Sequence, residues 1–156
     1  VCNCISAAAA LNDIGKVGIK RAIQNKPGKL TDEEFAAVRR HRVIGEEMIR
    51  SIDCYESEPF LKIAAQICRW HHERYDGGGY PDGLIGKHIP AAGRLTALAD
   101  VFDALLSERP YKKTWDFESA VRYVEEESGE KFDPDIVAAF KKNIEKVRLI
   151  YHGVPM

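Results

Sequence analysis

Several features are scarce in this 156-residue sequence. No apolar run approaches the ~18 residues that a membrane-spanning helix requires, so no insertion into a bilayer by this chain is expected. Ile5–Leu11 is apolar, yet it lacks the charged leader and the length of a secretory core. Four cysteines, Cys2, Cys4, Cys54 and Cys68, are too few and too irregularly spaced for a disulfide framework. Free thiols in a reducing cytoplasm fit them better. An excess of one charge is also missing: 23 basic side chains face 24 acidic ones, for a net charge of -1. That balance leaves no field for gathering DNA or RNA. No strand pair with a tight hairpin turn is visible, and no internal repeat.

Helical periodicity fills the space those absences leave. Thr31-Asp-Glu-Glu34 has the form of a capping box, and Phe35, Val38, Ile44, Met48, Ile49 and Ile52 follow near a 3.6-residue repeat, which predicts a helix over about 32–52. A second helix is expected from Pro59 to about Arg74, with Phe60, Ile63, Ala64, Ile67 and His71 on one side. Pro90 suits a first helical turn and opens a third, whose Leu95, Leu98, Ala99, Phe102, Leu105 and Leu106 read as a buried stripe. Asp116 or Thr114 caps a fourth helix, which Gly129 ends. Asp133-Pro134 caps a fifth, carrying Ile136, Val137, Phe140 and Ile144. Residues 3–11 resemble the end of one more. The reading is all-α, with one sizeable core, since a chain of this length removes about 68–70% of its unfolded surface from water.

Two segments interrupt the helical rhythm: Asn12–Leu30, and Asp76–Gly93 with its run Gly77-Gly78-Gly79-Tyr80-Pro81. A glycine run hemmed by Tyr75, Tyr80 and Pro81 differs from a flexible tether and suits a binding loop. The residues able to do chemistry lie beside these breaks. His71 and His72 are adjacent, so in a helix they point about 100° apart; they can flank a common point at a helix end, or ligate two nearby metal ions. Asp13 sits between apolar residues where the first helix must stop. Asp100 lies inside the third helix, a poor place for aspartate, and pairs at i, i+3 with Asp103. Imidazoles and carboxylates together suit iron, manganese or zinc. Two such ions ~3.5–4 Å apart can activate water and clamp a phosphoryl centre, with Lys16, Arg109 and Lys112 as the cations at hand for an anionic substrate.

In this order the motifs resemble the HD-GYP family of bacterial metal-dependent phosphodiesterases, a branch of the HD-domain superfamily. The resemblance covers about residues 11–142. It is carried by Asn12-Asp-Ile-Gly-Lys16, by Asn25–Glu34, and by His71-His-Glu-Arg-Tyr-Asp-Gly-Gly-Gly-Tyr-Pro-Asp-Gly-Leu84. Ile89-Pro90, Ala99-Asp-Val-Phe-Asp-Ala-Leu105 and Arg109-Pro-Tyr-Lys112 complete it. The resemblance implies an HD-domain-like helical bundle in the bacterial cytoplasm. It also implies hydrolysis of cyclic di-GMP to pGpG, and onward to GMP, by a metal-bridging hydroxide. Two divalent ions, iron or manganese, are the implied cofactors. Asp13 would be the bridging carboxylate, His41, His71 and His72 the imidazole ligands, and Asp100 a further carboxylate ligand. Lys16 would sit beside the scissile phosphate, Arg109 and Lys112 would grip substrate phosphates, and Gly79-Tyr80-Pro81 would shape the cleft lip, where a diguanylate cyclase domain would dock.

The sequence departs from that family twice. The name-giving His-Asp pair reads Asn12-Asp13, and an amide oxygen is a weak substitute for an imidazole nitrogen. The residues before Asn12 supply neither the Glu nor the His of an upstream ligand helix, so a third ion is not expected. The alternative reading is therefore a catalytically weak domain that signals by binding nucleotide or protein. A single HD-GYP-type domain over residues 1–156, without the N-terminal helices, is expected, with 145–156 as a flexible tail.

Overall fold

The computed structural model describes residues 2–108 and 114–151. Arg109 and Lys112 lie outside the described residues. Within them the order is α1 (Cys2–Ala9), a 3-10 turn (Ile14–Gly18), α2 (Arg21–Gln24), α3 (Asp32–Arg39), α4 (His41–Arg50) and α5 (Pro59–Trp70). A second 3-10 turn (Gly86–His88) precedes α6 (Ala91–Leu106), α7 (Phe117–Glu126), α8 (Pro134–Lys142) and α9 (Ile144–Tyr151). Among the described residues there is no strand longer than the single bridge Ser128–Phe132. The all-α expectation holds.

Local chemistry sets the boundaries. Thr31 accepts from the Glu34 N–H while Glu34 accepts from the Thr31 N–H, the reciprocal box read from the sequence. Asp116 and Asp133 cap α7 and α8, and Pro134 occupies the first turn of α8. Several expectations fail in detail, among them the place of Ile144, which opens α9 and does not lie on the helix that Asp133 caps. The helix over 32–52 is two helices, because the Arg40 N–H bonds to the Ala37 carbonyl in a tight i→i−3 turn and α4 restarts at His41. The second helix stops at Trp70, which leaves His71 as its cap and His72 beyond it. The expected tail is helical through Tyr151, where Ile144 and Val147 pack on the core and the Tyr151 hydroxyl donates to Asp103.

The core has two lobes. Ala8, Ile49, Ala64, Ala65, Ile67, Cys68 and Ala92 fill the space among α1, α4 and α5. Leu98, Phe102, Leu105, Phe117, Ala120, Val124, Phe132 and Val137 fill that among α6, α7 and α8. Helix α6 takes part in both, so the stripe expected along it is divided: Leu98, Phe102 and Leu105 are buried, whereas Leu95 is 44% exposed. Ala99 is exposed as well. The first 3-10 turn is pressed onto α4 at Gly15, where a Cβ would stand 1.8 Å from the His41 carbonyl oxygen and 2.5 Å from the Gly45 nitrogen. Only a residue without a side chain lets the two backbones meet that closely. This contact sets Asp13 beside the start of α4.

Candidate metal centre

Four pieces of chain converge at the junction of the two lobes. His41 opens α4, His71 and His72 close α5, Asp13 precedes the first 3-10 turn, and Asp100 stands on α6. The His71 and His72 ring centroids are 4.1 Å apart, and His41 lies 5.7 Å and 5.5 Å from them. One nitrogen from each of the three imidazoles falls within 4.8 Å of the others. The helix ending at Trp70 permits this, since two successive residues inside a helix diverge.

The backbone decides which nitrogen faces inward. His41 Nδ1 is 2.6 Å from the Val38 carbonyl oxygen, and His71 Nδ1 is 2.8 Å from that of Ile67. A carbonyl only accepts, so each Nδ1 carries the proton and each Nε2 presents a bare lone pair. Both Nε2 atoms are buried without a hydrogen-bond partner. Burial pushes the proton affinity of all three rings down, that of His72 to about 2, where the neighbouring His71 and Arg42 add to the effect. The rings are therefore neutral at pH 7. Asp13 Oδ1 nevertheless stands 3.3 Å from His41 Nε2. Two acceptors face each other at that distance. The conflict is relieved by a cation between them, and carbonyl-oriented imidazoles are the usual support of a metal ligand. The donor set thus fits a divalent ion.

The remaining residues surround this cluster. Lys16 Nζ donates to the second oxygen of Asp13 at 2.5 Å. Asp100 does not enter the three-imidazole group; its Oδ1 accepts from the Asn12 amide at 3.4 Å, and it borders a cavity of about 310 Å³ with Asp13, Lys16 and His72. Gly79 and Tyr80 line a second cavity of about 330 Å³ beside His71 and His72. The Tyr80 ring stacks on His72 at 5.2 Å and 27°.

Sequence reasoning did not single out the residues that hold this loop. Glu73, 3% exposed, accepts from the backbone N–H groups of Asp82, Gly83 and Leu84 at 2.7, 3.1 and 3.1 Å. Asp82 accepts two bonds from Arg69 and one from the Trp70 indole. Gly79 lies so near Glu73 that a Cβ would come within 2.5 Å of its Cα. The glycine run is thus clamped to the end of α5. Arg42, 2% exposed, places its guanidinium 3.6 Å from the Tyr80 ring centroid, and burial pushes its pKa down to about 10. No local motif announces that contact; a basic residue following a candidate ligand is the only trace.

Comparison with known proteins agrees with this architecture. Residues 2–136 match the family described as HD domain. The chain belongs to the HD domain family. Among the relatives of this HD domain is the cyclic di-GMP phosphodiesterase response regulator RpfG of Xanthomonas campestris, 47% identical over 86% of this chain and 35% of that protein. A cyclic di-GMP phosphodiesterase of Thermotoga maritima is 43% identical over 94% of this chain and 39% of its own length. A 3'3'-cGAMP-specific phosphodiesterase of Vibrio cholerae is 36% identical over 97% of this chain and 28% of its own length. The chain thus spans well under half the length of these relatives. A solved cyclic GMP-AMP phosphodiesterase of Vibrio cholerae superposes with a TM-score of 0.57 at 23% identity, covering 94% of this chain and 39% of that one, which establishes the shared HD fold.

Proposed function

We propose that this HD domain is the catalytic module of a metal-dependent phosphodiesterase that hydrolyses cyclic di-GMP to pGpG, and pGpG onward to GMP. The observation that carries the reading is the opposition of two acceptors, the buried His41 Nε2 and the half-exposed Asp13 Oδ1, beside a group of neutral imidazoles. The relatives named for cyclic di-GMP supply the substrate class.

His41, His71, His72 and Asp13 would hold one divalent ion, and Asp13 with Asp100 would reach a second; iron and manganese suit this mixture of nitrogen and oxygen donors. Such ions supply a nucleophilic hydroxide at neutral pH and polarise a phosphoryl oxygen. The protein supplies the rest. Lys16 places an ammonium at the edge of the cavity, where charge on the phosphate oxygens grows as the P–O bond breaks. The carbonyls of Val38 and Ile67 fix the ring orientations before substrate arrives. Tyr80, packed on His72, limits the motion of that ring and walls the cavity from water. Arg109 and Lys112 would add contacts to the phosphates. The Gly79-Tyr80-Pro81 stretch, flanked by the exposed Gly78, Asp82 and Gly83, is where a diguanylate cyclase domain would meet this chain.

A second reading is favoured by one contact: the Asn12 amide, not an imidazole, faces Asp100. A domain that loses its second ion in this way would bind nucleotide and signal without turnover. Protein loaded anaerobically with Fe(II) or Mn(II) and incubated with cyclic di-GMP separates the two. Linear product that disappears in Asp13→Ala supports the enzyme, whereas tight binding without product supports the sensor. Asn12→His should raise the metal content per chain, and an unchanged content would show that position 12 does not face the ions.

A further inference from the structure

The two cavities beside the imidazoles share a wall. His72, Val101 and Lys131 border both, the first cavity opening towards Gly79 and Tyr80 and the second towards Asp13, Lys16 and Asp100. Lys131 is the one cation in that wall, and neither the motifs nor the three-imidazole cluster accounts for it. Its ammonium donates to the Tyr123 hydroxyl at 3.1 Å and lies 5.4 Å from the Tyr123 ring centroid. Of the carboxylates nearest in sequence, Asp133 is held by Arg94 and Glu127 by Arg74 at 3.7 Å, while the adjacent Glu130 is exposed and makes no ion pair with Lys131. No ion pair neutralises Lys131 among the described residues.

The backbone beneath it is fixed. The Lys131 N–H bonds to the Glu127 carbonyl at 3.0 Å, its own carbonyl accepts from Tyr75 at 3.2 Å, and the Glu130 carbonyl accepts from Asp76 at 2.8 Å. Phe132, next in the chain, is 1% exposed. A half-buried ammonium on an anchored turn thus faces a cavity with charge to spare. It has three donors, of which Tyr123 takes one. The phenol that accepts from Lys131 keeps its own O–H to give. Together they offer donors converging on an oxyanion, in surroundings where such bonds are stronger than in water.

We propose that Lys131 and Tyr123 form a second anion subsite, which takes the non-scissile phosphate of a cyclic dinucleotide while Lys16 attends the scissile one. The proposal rests on the phosphodiesterase reading above, because a substrate with two phosphodiesters needs a place for the one not being cut. It makes Lys131 a substrate-positioning residue whose loss acts on binding more than on the chemical step.

The test uses the whole chain loaded with Mn(II). Lys131→Met should weaken cyclic di-GMP binding and raise KM about tenfold, the usual worth of one charge-assisted bond. Metal content per chain should stay at the wild-type value, and the loss on bis(p-nitrophenyl) phosphate, a diester with one phosphate, should stay within about twofold, since that substrate lacks the second anion. Tyr123→Phe, which keeps the ring, should weaken binding about threefold and serves as the second probe if Lys131→Met melts early. Lys141→Met controls for net charge, because Lys141 borders neither cavity. Equal weakening by Lys141→Met, or binding by both subsite variants within about twofold of wild type, overturns the subsite. A wild-type chain that binds cyclic di-GMP through Lys131 without cleaving it keeps the subsite and removes the enzymatic reading. A wild-type chain that neither binds nor cleaves it removes both.

Discussion

Replacing Glu73 by glutamine probes how the glycine loop is held. Oε1 of Glu73 accepts from Asp82 and Gly83, and Oε2 accepts from Leu84. In Glu73→Gln the retained oxygen keeps two partners without the charge that strengthened them. The new amide NH2 stands against the Leu84 N–H, donor against donor. One charge-assisted bond is lost, two are weakened and a buried donor is left unpaired, a combined cost of about 3 kcal/mol. For a chain of this size that lowers the melting temperature by roughly 6–12 °C. The loss is local, so amide exchange at residues 82–84 should accelerate about a hundredfold, while the amides of α6 and α7 follow only the global change. Released from its clamp, Tyr80 no longer holds His72, and activity should fall with stability. Calorimetry and hydrogen exchange on the metal-free chain read both quantities. A melting temperature within about 2 °C of wild type, with amides 82–84 still protected, would refute the view that this carboxylate organises the loop.

Two further outcomes follow from the same geometry. Gly15→Ala places a methyl group 1.8 Å from the His41 carbonyl oxygen, so the turn and α4 must separate; the expected result is about 3 kcal/mol of lost stability and poor metal retention, read by denaturation and elemental analysis. The metal-free chain should also lose stability in mild acid. The folded rings resist protonation, that of His72 down to about 2, whereas in the unfolded chain they take up protons below about 6.5. Unfolding therefore binds protons, and the stability present above pH 6.5 is lost as the pH falls, by about 2 kcal/mol for His72 alone at pH 5. Urea titrations between pH 7.5 and 5 check this, and a flat profile would contradict the neutral, buried assignment.

Much of the fold is legible in the sequence because its punctuation is local. The Thr31–Glu34 box, the Asp133 cap and Pro134 each act within four residues and the structure places them as read, and of the two caps offered for α7, Thr114 and Asp116, it takes Asp116. The histidine pair stood out as a pair, but its place at a helix end did not, since the helix was expected to run on to about Arg74 and stops at Trp70. Long-range contacts were not legible. Tyr80 was expected at the cleft lip and also packs on His72, because Arg42 and Arg39 gather at its ring. Lys131 reaches the wall beside His72 only through the turn that ties residues 130 and 131 to 75 and 76. Leu95 and Ala99 obey the helical period of a buried stripe, yet α6 has only one side covered at that point. Periodicity tells which residues share a face, and the neighbouring elements determine whether that face is covered.

One location for the cation, among the three imidazoles and Asp13, underlies the proposed chemistry. Crystals grown anaerobically with Mn(II) and measured at the metal edge would show it directly. An anomalous peak within coordination distance of His41 Nε2, His71 Nε2, His72 and Asp13 Oδ1 is the expected result, and it should vanish in His71→Ala. A peak elsewhere, or none while the three imidazoles keep their positions and Asp13 still faces His41, would contradict it.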